Sequence, residues 1–467
     1  MSRLVVVSNR VPSLADGHCR GGLAVALKAA LEEDGGVWLG WSGRLVDNPA
    51  TEPERLPLNG FGLATIDLSE AEFRGYYEQC ANRCLWPLFH GRTDLAGHDR
   101  QGYGLYRKVN RRFAQALRSV LGDDDIVWVH DYHLIPLGTE LRRLGVTAPL
   151  GFFLHTPFPS PDTLASLPWH RDMVEQLCAY DVVGLQTSES RENFQAAVER
   201  QSAAKGDSGR ASYGRSMTAG HYPISIDTGH FAALAAAPET QRWCRRFKAR
   251  MRHQSWAVGV ERLDYTKGLA ERFLAFEALL EQSPGLRGQL SLVQVAAPSR
   301  ETVAEYQAMQ HQLATLSGRI NARLGSFDWT PIRYLNRSFD HTELAALYRV
   351  ARMGVVTPLR DGMNLVAKEY VAAQDPDDPG VLVLSRFAGA AEELTDAVLV
   401  DPRDIMGMAR ALREALAMPL DERKARWGTL MRHLQRYDVH RWRRRFLDDL
   451  VSRRVRPVRP DASLTAA

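Results

Sequence analysis

The run Val356 to Gln374, V-T-P-L-R-D-G-M-N-L-V-A-K-E-Y-V-A-A-Q, confines what this chain can fold into more than any other. It leaves the apolar stretch Met353–Pro358, which has the length and β-branching of a buried strand. It breaks at Asp361-Gly362 and resumes with Leu365, Val366, Tyr370 and Ala373 at helical spacing. A strand, a tight turn and a helix start in succession mark an α/β unit. At such a junction the unpaired N–H groups of the first helical turn and the helix dipole favour an anion beyond the strand's carboxyl end. A phosphate meets that description. Glu369, one turn into the helix, brings a carboxylate within reach of a ribose diol beside it, and Asp361, in the turn itself, is free to hold a sugar hydroxyl. An ordinary βα unit, with Asp361 in its turn and Glu369 on a solvated face, accounts for this segment equally well, so other segments must decide.

The chain has 467 residues, enough for two or three domains, and two large α/β halves fit best. Its formal charge is +4, from 59 Lys and Arg against 55 Asp and Glu, too small to imply a general nucleic-acid surface. A small anionic ligand is the expected partner. The 5 cysteines include no C-x-x-C pair, which points to a reducing cytosol. Cys80 and Cys84 share a helical face without a His or Cys partner nearby, and read as buried small hydrophobes rather than metal ligands. The apolar run Leu4–Val7 is too short for a signal segment, and nowhere do ~18 apolar residues run together, so no membrane span is expected.

Taken in order, L-V-V-V-S before Asn9-Arg10 reads as a first strand, followed by a loop to Arg20-Gly21-Gly22 and an apolar helix Leu23–Leu31. Gly21-Gly22 lets backbone approach a ligand, and Arg10 at a strand's carboxyl end is the better sign of an anion. Val37–Ser42 is a second strand whose Trp38 and Trp41 lie on opposite faces, one to pack and the other to face a cleft. Tyr76–His90, polar and aromatic, suits either a sugar pocket or packing under a loop. Asp123–His133 is a strand ending in two His and an Asp, where hydroxyl or phosphate recognition by Asp131 is preferred to a metal. Gly151–Pro159 ends another strand in His155, again at a carboxyl end. Asp181–Thr187 is a further strand, Ala203–Ser216 a polar, mobile excursion, and Ala232–Thr240 an Ala/Pro linker closing the first half. The pattern restarts at Ser255, and S-W-A-V-G-V-E-R-L-D-Y-T-K-G-L places Arg262 and Lys267 at a strand-to-helix junction, two cations suited to a diphosphate. Later strands are expected over Gln289–Ala296, Arg333–Phe339, Met353–Pro358, Gly380–Ser385 and Ala397–Val400. A basic amphipathic helix follows Asp438, and disorder is expected from Pro457.

Seven motifs in order now carry a resemblance: S-N-R (Ser8–Arg10), R-G-G-L (Arg20–Leu23), L-W-P-L-F-H (Leu85–His90), V-W-V-H-D-Y-H-L (Val127–Leu134), F-F-L-H-T-P-F-P (Phe152–Pro159), E-R-L-D-Y-T-K-G (Glu261–Gly268) and T-P-L-R-D-G-M-N-L-V-A-K-E (Thr357–Glu369). From Met1 to about Leu450 the chain resembles the trehalose-6-phosphate synthases. The resemblance implies an α/β protein of two Rossmann-like domains facing across a cleft, the GT-B arrangement. An acceptor half (residues 1–235) and a donor half (236–438) are expected, then a crossover helix packing back on the first half and a tail (439–467). It implies retaining transfer of glucose, usually from UDP-glucose, to glucose 6-phosphate, with no metal and no cofactor.

By position, Arg10, Tyr77, Trp86, Asp131 and Arg300 resemble the residues that hold glucose 6-phosphate, the two arginines taking its phosphate. Gly21, Gly22, Arg262, Lys267, Phe339, Asp361, Gly362, Met363, Asn364, Leu365, Val366 and Glu369 resemble the donor site. His155 and Asp361 resemble groups that hold hydroxyls of the donor glucose, and with Arg262 and Lys267 form the expected catalytic set. Thr156 departs from the aliphatic residue of some relatives. A homo-oligomer in the cytoplasm is expected, with small-molecule substrates and neither nucleic acid nor membrane as partner. The alternatives are transfer to another phosphorylated acceptor such as glycerol 3-phosphate, or a catalytically silent sugar-phosphate sensor. A nicotinamide-dependent oxidoreductase is disfavoured because no G-x-G-x-x-G follows a strand.

Overall fold

The computed structural model describes residues 3–12, 27–28, 31–32, 35–58, 60–205, 211–212, 215–251, 254–300 and 303–453. Gly21, Gly22, most of the helix expected over Leu23–Leu31, part of the Ala203–Ser216 excursion and the tail from Pro457 lie outside them. The apolar runs form strands buried on both faces, as parallel sheets covered by helices require; Val5, Val6 and Val7 are all 0% exposed. Strands β1 (Leu4–Arg10), β2 (Val37–Leu45), β3 (Glu54–Pro57), β4 (Gly62–Leu68), β5 (Ile126–His130), β6 (Leu150–Phe153) and β7 (Val182–Leu185) belong to the first sheet. The short strands β8 (Ala211–Ser212) and β9 (Arg215–Ser216) pair only with each other, and β10 (Thr218–His221) completes the first sheet. Its 8 strands are ordered β10-β7-β6-β5-β1-β2-β4-β3, parallel except where β3 runs against β4.

The second sheet holds β11 (Ser255–Arg262), β12 (Leu290–Ala297), β13 (Ile332–Leu335), β14 (Met353–Val356), β15 (Val381–Ser385) and β16 (Val398–Val400). Its order, β13-β12-β11-β14-β15-β16, is that of a dinucleotide-type doubly wound sheet, and every pairing is parallel. In such sheets the chain reverses its direction of travel at one point, and ligands bind beyond the carboxyl ends of the strands there. That point lies between β1 and β5 in the first sheet and between β11 and β14 in the second. Arg10 and Arg262 are the last residues of β1 and β11, and Asp131 and Asp361 follow β5 and β14.

Two expectations need correction. Ala232–Thr240 is not a linker: it falls within the helices Thr228–Ala236 and Pro238–Met251, because alanine favours helix wherever packing allows it. Most of Tyr76–His90, left open between a sugar pocket and packing under a loop, is helical: Phe73–Leu85 forms a π-helix of 13 residues that runs into the short helix Trp86–Phe89. Trp38 and Trp41 do sit on opposite faces, but both are buried, each in a different core cluster, with the indole N–H groups on Ser8 Oγ and the Arg44 carbonyl. Several strands are shorter than expected; β13 stops at Leu335, leaving Phe339 in the following loop.

The last helix, Val439–Val451, has the single apolar face of an amphipathic pattern and returns to the first sheet, as the resemblance implied. Its buried stripe, Trp442, Phe446 and Leu450, meets Trp128 and Phe153; Phe446 stacks on Trp128 with centroids 4.8 Å apart. The two sheets and this helix thereby share one hydrophobic cluster.

Candidate active site between the two sheets

On the second sheet, the turn after β11 and the turn after β14 lock together. Gly268, in the left-handed region at φ +64°, starts the helix Leu269–Gln282, and a Cβ there would lie 2.3 Å from the Thr357 carbonyl oxygen. This approach brings Lys267 Nζ to 2.5 Å from Asp361 Oδ2. Asp361 is therefore not free, as the sequence implied; it is ion-paired, and Asn364 Nδ2 donates to the same oxygen at 3.1 Å. Burial pushes its carboxyl up, but Lys267, His90 and Arg262 outweigh that and hold it below the ordinary carboxylate range. Beneath the pair, Arg272 is wholly buried, donating to Glu261, Gln294 and Thr357 and so tying β11, β12 and the Thr357 segment to one helix.

Arg262 is exposed at the end of β11, its guanidinium 5.5 Å from the Trp86 ring centre. Asn364 takes φ 76° to open the helix Leu365–Ala373. Met363 is buried, while Leu365, Val366 and Glu369 are partly buried on that helix. Burial pushes the Glu369 carboxyl up to about 7, tempered by the Tyr348 hydroxyl 3.4 Å away. Phe339 is partly buried beneath Arg337, and no hydrogen bond or ring contact joins it to the Lys267–Asp361 pair.

The first sheet faces this turn pair. Gly362 presses on the loop after β6 so closely that a Cβ would fall 2.0 Å from the His155 carbonyl oxygen. The His155 ring lies between His130, at 3.1 Å from its Nε2, and Gln186, at 3.4 Å from its Nδ1. Gln186 Oε1 accepts the Ile224 N–H, so its amide nitrogen faces Nδ1 and the His155 proton sits on Nε2. Burial lowers His155 to about 3, a neutral ring at any working pH. Asp131, at φ 76°, accepts the His155 N–H; burial raises its carboxyl to about 6 against the pull of two backbone N–H groups, Arg262 and Arg300.

Arg10 is exposed and lies over Trp41, 5.4 Å from its centre. Tyr77 stacks on Phe73 and on His133, itself lowered by burial to about 3. Arg300 reaches across from the second sheet, 4.1 Å from the Trp86 ring centre, with Nη2 donating to Tyr132 Oη at 3.2 Å. Asp131, Arg300 and Asn364 are the non-glycine residues with positive φ among those described, and all three lie here. Such conformations cost of order 1–3 kcal/mol each and persist where the surroundings over-determine them, commonly at ligand sites.

The family model for glycosyltransferase family 20 matches residues 7–452. The chain belongs to glycosyltransferase family 20. It is 48% identical over 458 residues to a protein of Sinorhizobium fredii named trehalose-6-phosphate synthase, covering 97% of this chain and 99% of that one. A Burkholderia xenovorans alpha,alpha-trehalose-phosphate synthase (UDP-forming) in complex with glucose-6-phosphate superposes with a TM-score of 0.90 at 45% identity, covering 96% and 100% of the two chains. An E. coli structure bound with UDP-2-fluoro glucose does so with a TM-score of 0.90 at 43% identity, covering 97% and 100%.

Within the family 20 chain, sequence reasoning passed over several residues that the fold brings to this cleft. Tyr132 was given no role and His133 was weighed only as a metal ligand, but the turn at Asp131 sends them under Trp86 and Tyr77. Tyr306 and Gln186 carried no motif, and Arg272 sat unremarked on an apolar helix face. Thr156 is 3% exposed, and its hydroxyl has no hydrogen-bond partner among the described residues.

Proposed function

We propose that this chain is a retaining glucosyltransferase that moves glucose from UDP-glucose to glucose 6-phosphate, giving α,α-trehalose 6-phosphate and UDP. The observation that carries the reading is the meeting of Arg300, on the second sheet, with Trp86 and Tyr132, on the first, at the carboxyl ends of both sheets. An acceptor phosphate and a donor diphosphate can then occupy one cleft. The names of the Sinorhizobium and Burkholderia relatives, and the molecules in the Burkholderia and E. coli structures, support the same substrates.

In this reading Arg10, Tyr77, Trp86, Asp131 and Arg300 hold glucose 6-phosphate. Arg262, Lys267 and the first-turn N–H groups of the helix Leu365–Ala373 face the diphosphate, with Glu369 on the ribose. As the glycosidic bond breaks, negative charge grows on UDP and the sugar turns oxocarbenium-like; two fixed cations and aligned amides stabilise that charge without reorganising. Lys267 then shares its N–H groups between Asp361 and a phosphate oxygen, and Asp361 takes a donor-glucose hydroxyl on its remaining lone pairs. Retention follows from attack on the face the UDP leaves, the departing phosphate oxygen accepting the acceptor's proton.

The deciding experiment is a panel of UDP-, GDP- and ADP-glucose against glucose 6-phosphate and glycerol 3-phosphate, with both products identified and their anomeric configuration assigned. Trehalose 6-phosphate with α,α configuration is expected. A β-linked product, a trapped glucosyl-enzyme, or turnover confined to glycerol 3-phosphate sinks the reading.

A further inference from the structure

Asp264 is 0% exposed, and a carboxylate so removed from water is tolerable only when it is fully paired. Its Oδ1 accepts the Thr266 N–H at 3.0 Å, the Thr266 hydroxyl at 2.9 Å and the Trp86 indole N–H at 3.4 Å. Its Oδ2 accepts Arg300 Nη1 at 3.2 Å and the Tyr306 hydroxyl at 3.1 Å. Arg300 Nη1 also donates to the Tyr306 oxygen, and Tyr132, the acceptor from Nη2, donates its own hydroxyl to Asn82 Oδ1 in the π-helix. Capping the turn Tyr265–Lys267 needs one oxygen of Asp264; the other points away from the turn, at Arg300.

The guanidinium consequence is specific. Asp264 and Tyr306 engage the Nη1 end and Tyr132 one N–H of Nη2. Among the contacts of the described residues Nε–H has no acceptor and the adjacent Nη2 has Tyr132 alone for its two N–H groups, so this edge of the guanidinium is the one with capacity to bind a phosphate in bidentate fashion. Arg300 itself is at φ 51°, a backbone that holds few side-chain directions without support.

We propose that Asp264 is a positioning residue for the acceptor phosphate: from the turn that carries Lys267 it holds Arg300 and Trp86 so that the open fork of Arg300 faces a phosphorylated hexose. This rests on glucose 6-phosphate being the acceptor, as proposed above. It also places the supports of the donor cation and the acceptor phosphate on one four-residue segment, Asp264–Lys267.

Two variants of the full chain test this. Asp264→Ser keeps a short acceptor for the Thr266 N–H but does not reach Arg300; Tyr306→Phe removes the hydroxyl bridging Arg300 and Oδ2 and leaves the turn intact. The KM for glucose 6-phosphate is expected to rise about tenfold or more in the first and about threefold in the second, since charged hydrogen bonds are lost. The KM for UDP-glucose and the calorimetric Kd for UDP should stay within about twofold. Combining Asp264→Ser with Arg300→Ala should lose little beyond Arg300→Ala alone, because the two act as one unit. Equal rises in both KM values, or an unchanged KM for glucose 6-phosphate in Tyr306→Phe, overturn the proposal. If Asp264→Ser does not fold, Tyr306→Phe decides alone. A wild-type chain that neither binds nor glucosylates glucose 6-phosphate removes the acceptor reading first and this inference with it.

Discussion

In the proposed reading Lys267 meets the diphosphate already engaged with Asp361, and that pairing sets what its removal would cost. An ammonium held by a buried carboxylate needs no reordering when charge appears beside it, so its stabilisation is preorganised. Lys267→Ala is expected to lower kcat by about 100-fold or more, as loss of a preorganised donor commonly does; a steady-state rate within a factor of a few of wild type would strip Lys267 of the role. Glu369 gives a second check. With its pKa near 7 the free carboxyl is about half protonated at neutral pH. Ribose hydroxyls donating to it favour the ionised form, so UDP-glucose binding should lower the pKa and release a proton. Calorimetry at pH 7 in buffers of differing ionisation enthalpy is expected to report release of roughly half a proton, fading above pH ~8, and none in Glu369→Gln. Uptake, or the same release in the variant, would remove Glu369 from the ribose. These charges were readable in the sequence because they stand at strand ends or in the helix that follows, and because the ordered motifs around them decided what each one alone left open. The Lys267–Asp361 bond was not, since it depends on two turns 94 residues apart meeting face to face.

Between elements, contact is backbone on backbone, and side-chain patterns do not report it. All the strands of the second sheet and five of the first were legible from their apolar runs, as parallel strands buried on both faces allow. Their order was not, and three strands of the first sheet went unread: β4, buried but broken by Gly, Thr and Asp, the partly buried β10, and the edge strand β3, which buries nothing. The D-G turn read correctly as a break, yet the reason for glycine there lies in another part of the chain, at the His155 carbonyl. Gly362→Ala must push the turn and the loop after β6 apart, and forced shifts in packed structure cost about 1–3 kcal/mol. Its turnover should fall at least as far as that of Lys267→Ala while most of the protein remains folded, measured by kcat beside a denaturant midpoint. Wild-type turnover in Gly362→Ala would show that the two turns need not touch.

Across the whole molecule, the chain's last described helix does what neither sheet does alone. Phe446 is 0% exposed, inserted where Gly151 and Gly184 leave the sheet bare; a Cβ on either would come within 2.8 Å of its ring. Tyr222, at the end of the first sheet, closes the far side of that ring and donates its hydroxyl to Asp449 at 2.6 Å. The basic, amphipathic composition of this segment announced a helix with one apolar face, and the family resemblance put it on the first half, but its seat on the sheet is set by the two bare glycines. Truncating a buried aromatic leaves a cavity as well as losing burial, so Phe446→Ala is expected to destabilise the chain by about 3–5 kcal/mol. Because the helix follows the second sheet in sequence and packs on the first, the loss should also loosen one half against the other. Denaturant unfolding should show a lower midpoint, and the KM for both substrates should rise together, unlike the one-sided effect expected of Asp264→Ser. A loss under about 1 kcal/mol would mean that Phe446 fills the groove without fastening it.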